Sequence, residues 1–247
     1  MPTPEELNAI AENLGQMQLG LDDTFRFKCH GCGKCCKNRE DILLTPRDLF
    51  RLAKCMGLTP TQTMDRCCES YIGGQTGIPT VRLKPVGKNK VCPLLKENKC
   101  SVHASKPVVC ALFPLGRFQK PSKDDPRLPG ESGYLLMPTS GCGRTFRTVR
   151  AYLESFGIPL EDVFHAQWNG TLMFLVDFFR DALRAGTPQP ALNTLRDITF
   201  VLLYLRYDTE SEFLPQFEAS AATLKELLNG IRAKAFPPKT ILDARPA

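Results

Sequence analysis

Cys29-His30-Gly31-Cys32-Gly33-Lys34-Cys35-Cys36 decides how this chain is read. Four thiols fall within eight residues, spaced C-x2-C-x2-C-C. Cysteines kept for packing are scattered, because a hydrophobic core needs no such bunching. A C-x2-C pair turns two thiolates toward one metal, and small residues between them absorb the tight turn. Gly31 and Gly33 supply that freedom, since glycine reaches positive φ without a Cβ clash. The adjacent pair Cys35-Cys36 is unusual. Neighbouring side chains tend to diverge, which suits a polynuclear iron–sulfur cluster or two separate sites better than one mononuclear ion. The competing reading is a disulfide knot or a reduced surface loop.

Working outward, a second cysteine group follows in Cys92-Pro93, Cys100-Ser101 and Cys110. Its spacing, C-x7-C-x9-C, is open enough for ligands drawn from successive loops. Gly141-Cys142-Gly143 presents one more thiol between flexible neighbours. The chain of 247 residues carries eleven cysteines, far more than a metal-free cytosolic enzyme keeps. The start, Met1-Pro2-Thr3-Pro4-Glu5-Glu6, shows no basic region followed by an apolar run, and no apolar stretch reaches membrane-spanning length. A secreted disulfide framework is therefore not expected. A cytoplasmic protein with thiols held as metal ligands is.

Hydrophobic residues at 43% and charged residues at 23% are ordinary for a globular protein. The formal charge of +6 is unevenly spread. Residues 26–54 carry eight basic against three acidic side chains, and 82–127 carry eleven against three, whereas 144–247 balance twelve against twelve. The basic excess thus follows the cysteines. Metal-bound thiolates are anionic and offset it locally. With no arginine-rich run and no basic stripe interleaved with aromatics, nucleic acid is not expected as a partner.

Thr3-Pro4-Glu5-Glu6 reads as a helix start, with Leu7, Ile10, Ala11 and Leu14 as its apolar stripe. Phe25-Arg26-Phe27 alternates like a strand, and Asp41-Ile42-Leu43-Leu44 is a second strand-like run. Thr45-Pro46-Arg47-Asp48 opens a helix with Leu49, Leu52, Ala53 and Met56 buried and Gly57 as its stop. Thr59-Pro60 opens another, with Gln62 closing a capping box. Cys55, Cys67 and Cys68 fall on these two helices, where packing is the expected role. Gly73-Gly74-Gln75-Thr76-Gly77 is a turn, not a phosphate loop, because it lacks a basic residue. Leu115–Phe118 and Tyr134–Met137 are the arms of a hairpin whose tip is the insertion 119–131. Beyond Arg144 the pattern is helical: Phe146, Val149, Leu153 and Phe156; then Leu172, Leu175, Val176, Phe179 and Leu183; then 190–207 and 212–233. Trp168 and the run Phe174 to Phe179 are expected in the core.

The series Cys29-x2-Cys32-x2-Cys35-Cys36, then Leu44-Thr45-Pro46-Arg47-Asp48-Leu49, then Cys92-Pro93 with Cys100-Ser101, then Lys106-Pro107-x2-Cys110-x2-Phe113-Pro114, resembles the CxxCxxCC cysteine-cluster family of YkgJ-like proteins. That family is described as a zinc- or iron-chelating domain and includes flagellin lysine N-methylases. The resemblance spans about residues 25–145 and implies Cys29, Cys32, Cys35, Cys36, Cys92, Cys100 and Cys110 as metal ligands, with Cys142 as the eighth. His103 stands where many members carry another residue type. Cys55, Cys67 and Cys68 have no counterpart in the family pattern.

The expected fold class is α+β: an N-terminal helix over 1–24, a small cysteine-rich metal-binding domain with short strands and helices over 25–144, and an α-helical C-terminal region over 145–247. The expected function is a metal-binding protein holding one or two thiolate-ligated iron–sulfur centres, 4Fe-4S in type, related to redox chemistry or methyl transfer. The alternative is a zinc-binding structural or storage module without catalysis. Neither a glycine-rich cofactor loop nor a base for a lysine nucleophile is evident, so no catalytic residue is assigned. Whether the protein is an iron–sulfur oxidoreductase, a protein lysine methyltransferase-like enzyme or no enzyme stays open. The expected partners are a metal ion or cluster and a protein substrate or partner, without a membrane.

Overall fold

A computed structural model describes residues 15, 17–29, 32–121, 129–137 and 143–235. Of the N-terminal helix expected over 1–24, residues 1–14 and 16 lie outside the described residues and Gln18–Leu19 is a strand instead; His30, Gly31, Cys142 and positions 122–128 of the insertion also lie outside them. Along the chain the strands are β1 (Gln18–Leu19), β2 (Thr24–Lys28), β3 (Leu43–Leu44), β4 (Cys68–Ile72), β5 (Pro79–Leu83), β6 (Leu95–Lys96), β7 (Lys99–Cys100), β8 (Leu115–Pro121), β9 (Pro129–Leu136) and β10 (Gly143–Thr148). The α-helices are α1 (Pro46–Met56), α2 (Pro60–Cys67), α3 (Val108–Leu112), α4 (Val149–Ser155), α5 (Val163–Arg184), α6 (Gln189–Phe200) and α7 (Phe213–Ala235). The protein is α+β, with short strands in small sheets and a helical C-terminal region. Two compact units divide the chain, one of residues 1–44 with 83–170 and one of 45–82 with 171–247.

In the first unit the alternation around Phe25 sets the layer. Phe25 and Phe27 are buried, while Thr24, Arg26 and Lys28 face solvent, as a strand with one covered side requires. β2 pairs antiparallel with β10, placing Arg26 opposite Phe146 and Lys28 opposite Gly143. β8 and β9 form the expected hairpin, with Leu115 opposite Leu136, and β1 adds to the far edge of β9. The core gathers Phe25, Phe27, Ala111, Leu112, Leu115, Tyr134, Val149, Tyr152 and Leu153. Its rings meet edge to face, Phe25 with Tyr152 at 5.2 Å and Phe27 with Phe113 at 5.7 Å, the geometry their quadrupoles favour. The Tyr152 hydroxyl donates to the Phe113 carbonyl, so its burial leaves no orphan donor.

The stripe expected from Phe146 to Phe156 is shorter than its spacing suggests. Thr148 caps α4 by accepting the Ala151 N–H at 3.1 Å, so the helix begins at Val149. Phe146 therefore stays on β10, 61% exposed, with the Arg26 guanidinium 4.1 Å above its ring. The hydroxyl's pull on the backbone outranks the apolar period at that point.

In the second unit both capping boxes form. Thr45 accepts the Asp48 N–H while Asp48 accepts the Thr45 N–H at 3.0 Å, and Thr59 and Gln62 do the same for α2. Each cap contributes about 1 kcal/mol. Gly57 ends α1 with φ of +62°, a conformation costly for any residue with a Cβ. Phe50, Tyr207 and Phe213 pack as a triad with centroid separations of 5.1 to 6.4 Å. Arg196 donates from Nε to the Gly77 carbonyl at 3.0 Å, which pins the Gly73–Gly77 turn. Phe178 and Phe179 are fully buried, as is Leu175 to within 1%, but Leu183, expected on the same stripe, is 52% exposed because it lies in the last turn of α5. In the first unit Trp168 is buried and stacks with Phe164, in line with the core expectation.

Two cysteine placements depart from expectation. Cys55 lies on α1 but is exposed, not packed. Cys68 does not lie on a helix: its backbone turns extended at φ of −123° and opens β4, with its N–H closing α2 onto the Met64 carbonyl. Among the described residues no helix is long and apolar enough to cross a membrane.

Candidate metal centre

Three local structures bring cysteines to one place in the first unit. The first is the turn Lys34–Cys36, a single 3-10 turn preceded by Gly33 at φ of +68°. The Cys36 N–H donates to the Gly33 carbonyl at 3.1 Å, closing the turn. Gly33 also nests against a neighbour: a Cβ there would stand 3.5 Å from Asn98 Oδ1 and 3.6 Å from both Leu95 methyls. Asn98 belongs to the two-residue loop between β6 and β7, where Glu97 and Asn98 both hold positive φ, as a tight hairpin of primed type demands.

The second structure is the segment 89–93, which runs beside 36–39. Cys92 donates its N–H to the Cys36 carbonyl at 2.8 Å, and Asn38 donates to the Asn89 carbonyl at 2.9 Å. The third is α3. It begins after Pro107, which accepts the N–H groups of Cys110 and Ala111 at 2.9 Å. Ala111 and Leu112 are buried in the core described above, while Cys110 on the same short helix is only half-buried.

The result is a cavity of about 20 Å³ lined by Cys35, Cys36, Cys92 and Cys110 together with Arg39, Ile42, Leu83, Pro85 and Pro93. Room of that size accepts one water-sized sphere. The Cys35 and Cys36 sulfurs are 3.9 Å apart. Neighbouring side chains are expected to diverge, yet both of these sulfurs reach the same cavity. Cys29 and Cys32 are exposed and do not line this cavity, nor does half-buried Cys100, which pairs with Leu95 in the β6–β7 hairpin. His103 is exposed in a turn of its own. Among the described residues no three cysteine, histidine or carboxylate side chains already stand in a closed ligand sphere, so the four sulfurs would have to rotate inward to share an ion.

The electrostatics are those of crowded thiols. The hydrogen bond from Cys36 holds the Cys35 thiol down to about 6, against the effect of burial and with help from Lys106 and Arg39. The same bond pushes Cys36 up, as do burial and the neighbouring charges of Cys35, Cys92 and Cys110. One proton is thus easily lost from the pair and the second is held. A cation between the sulfurs reverses that cost, because it favours every thiolate at once. The donor set and the electrostatics both fit a thiophilic ion.

Arg39 and Lys106 were not evident from the pattern of cysteines. Arg39 lines the cavity and is fixed by Asp41, which accepts from its Nε and Nη2 at 2.5 and 2.9 Å. Lys106 rests its ammonium 4.2 Å from the Phe156 ring centroid. The available signals were a basic residue three positions after the vicinal pair and another four positions before Cys110, each diluted among many basic residues.

Residues 28–127 match the family model CxxCxxCC, described as a putative zinc- or iron-chelating domain. The stretch contains all four cavity cysteines together with Cys29, Cys32 and Cys100, and the match supports metal binding by it. No curated protein matches the chain, and no solved structure does.

Proposed function

We propose that Cys35, Cys36, Cys92 and Cys110 hold a single tetrahedral, thiolate-ligated ion, zinc or iron, and that this centre holds together the loops of the first unit. The observation that carries this reading is the convergence of these four cysteines on one cavity, with the Cys35 and Cys36 sulfurs 3.9 Å apart. A metal–sulfur bond of about 2.3 Å gives a tetrahedral S···S edge of about 3.8 Å. Both sulfurs therefore already stand one edge apart.

Such a centre is structural in kind. The run 32–44 and the segment 83–100 contribute little to the core of Phe25, Tyr134 and Tyr152, and a closed four-thiolate site supplies the folding energy such loops lack. Four thiolates around a divalent ion leave a net negative charge, which Arg39 and Lys106 are placed to offset.

Cys29, Cys32 and Cys100, which do not line the cavity, and Cys142, which lies outside the described residues, are the thiols left over for the second centre that the sequence suggests. Metal and acid-labile sulfide analysis of anaerobically purified protein tests this reading. Metal bound in the Cys29→Ser/Cys32→Ser variant, without sulfide, is the expected result. Loss of all metal in that variant, or sulfide retained in it, would overturn the inner single-ion site.

A further inference from the structure

A second vicinal pair, Cys67-Cys68, lies in the other unit and takes no part in the cavity. Cys67 is the last residue of α2 and Cys68 the first of β4. Their sulfurs are 3.8 Å apart, and the residues are only 3% and 5% exposed. Cys67 Sγ also lies 3.4 Å from the Thr63 carbonyl, one helical turn back. The hydrogen bond from Cys68 lowers the Cys67 pKa, with Arg66 adding to the effect. Packing alone needs neither the sulfur contact nor two thiols in sequence.

We propose that Cys67 and Cys68 form a peroxide-sensitive dithiol that closes to a vicinal disulfide. The Cys67 thiolate attacks one oxygen of hydrogen peroxide, the O–O bond breaks, and hydroxide leaves, giving Cys67 sulfenic acid. The Cys68 sulfur then attacks Cys67 Sγ and expels water, so two thiols and one peroxide become one disulfide and two waters. The near-complete burial selects a small oxidant over a bulky disulfide reagent. Two Cα atoms joined by a trans peptide are about 3.8 Å apart, below the roughly 4.4–6.8 Å of relaxed disulfides. The bond is therefore strained and readily reduced, which makes the oxidised state reversible. Closing it withdraws Cys67 Sγ from Thr63 and loosens the last turn of α2.

The test uses the full chain as purified, treated with hydrogen peroxide, denatured with iodoacetamide and digested with trypsin. Cleavage after Arg66 and Arg82 releases Cys67–Arg82, which holds these two cysteines and no other. The expected product is this peptide about 2 Da lighter than its dithiol form, unalkylated, and returned to the dithiol by dithiothreitol. The Cys68→Ser variant is expected to leave a sulfenic acid on Cys67 that dimedone captures. Two alkylated thiols on the peptide at a dose that oxidises exposed Cys55 would overturn the proposal, as would sulfinic acid at either position or a cross-link to another cysteine. If the variant does not fold, the peptide from the unaltered chain still decides. The outcome does not depend on the metal reading, since neither residue lines the cavity.

Discussion

The backbone N–H of Cys92 donates to the carbonyl oxygen of Cys36 at 2.8 Å, joining two cysteine runs that lie 56 positions apart in the chain. One hydrogen bond of this kind contributes about 1 kcal/mol, too little to order both loops alone. It sets the register in which Cys35, Cys36, Cys92 and Cys110 face one cavity, and in the proposed centre a shared ion supplies the remaining stabilisation.

Replacing Cys110 with Ser is the most direct removal of one inner sulfur. Metal affinity is expected to fall by at least two orders of magnitude, because an uncharged hydroxyl replaces a thiolate in a four-ligand shell. The metal-loaded protein should also lose thermal stability. Cys55→Ser, an exposed position on α1, is expected to change neither. Competition with a chromophoric chelator measures the affinities, and equal affinities for the two variants would contradict the assignment.

Arg39→Gln keeps a polar side chain, though a shorter one, and removes its charge beside the sulfurs. Affinity for a divalent ion should drop about 10–100-fold, the range for outer partners of metal sites. The loss should grow at low salt, where charge is least screened. A drop independent of salt would point to packing instead.

Gly33→Ala tests the turn that aims the vicinal pair. The backbone at φ of +68° costs a residue with a Cβ about 1 kcal/mol, and the neighbouring Asn98 and Leu95 atoms at 3.5 to 3.6 Å leave room for the methyl itself. The variant should therefore fold, with stability lowered by about that amount in urea titration. Metal release from it should be faster than from the unaltered chain. Unchanged release would mean that the turn does not position the sulfurs.

Tyr204 and Tyr207 predict an alkaline limit for the second unit. Burial pushes both phenols up, for Tyr204 with added repulsion from Tyr207 and Asp48. A raised folded pKa means that the protonated phenol is the form the fold holds. The stabilisation is complete below the unfolded value of about 10 and is lost as pH rises beyond it. Helical circular dichroism should decline from about pH 10 upward. Tyr204→Phe/Tyr207→Phe should move that decline to higher pH, although losing the Tyr207 hydrogen bond to the Leu203 carbonyl at 2.6 Å costs about 1 kcal/mol at neutral pH. An unchanged alkaline midpoint would remove these phenols as its cause.

Local signals in the sequence carried further than spatial ones. Thr45 with Asp48, Thr59 with Gln62, and Gly57 announce two helices almost to the residue, because a cap is satisfied by neighbours within one turn. The hairpin of β8 and β9 was legible from its apolar arms. Phe146 was misplaced because its spacing to Val149 and Leu153 fits a helix, while the cap that decides the matter sits on Thr148. Cys68 was misplaced for a related reason: α2 stops there without a glycine, and the strand that follows is fixed by β5, its neighbour in the sheet.

At the site, the spacing showed that sulfurs are bunched but not which of them meet. Cys35 and Cys36 share a cavity with Cys92 and Cys110, while Cys32, three positions before Cys35, does not line it. That division follows from the pairing of 36–39 with 89–92 and from the placement of α3, both long-range facts. Arg39 was hidden for the same reason, as one basic residue among eight between 26 and 54.

X-ray absorption at the metal edge of the Cys29→Ser/Cys32→Ser/Cys100→Ser variant, loaded with zinc or iron, tests the single-ion centre most directly. Four sulfur scatterers at about 2.3 Å and no metal–metal scattering is the predicted result. A metal–metal vector, or a shell dominated by oxygen or nitrogen, would contradict it.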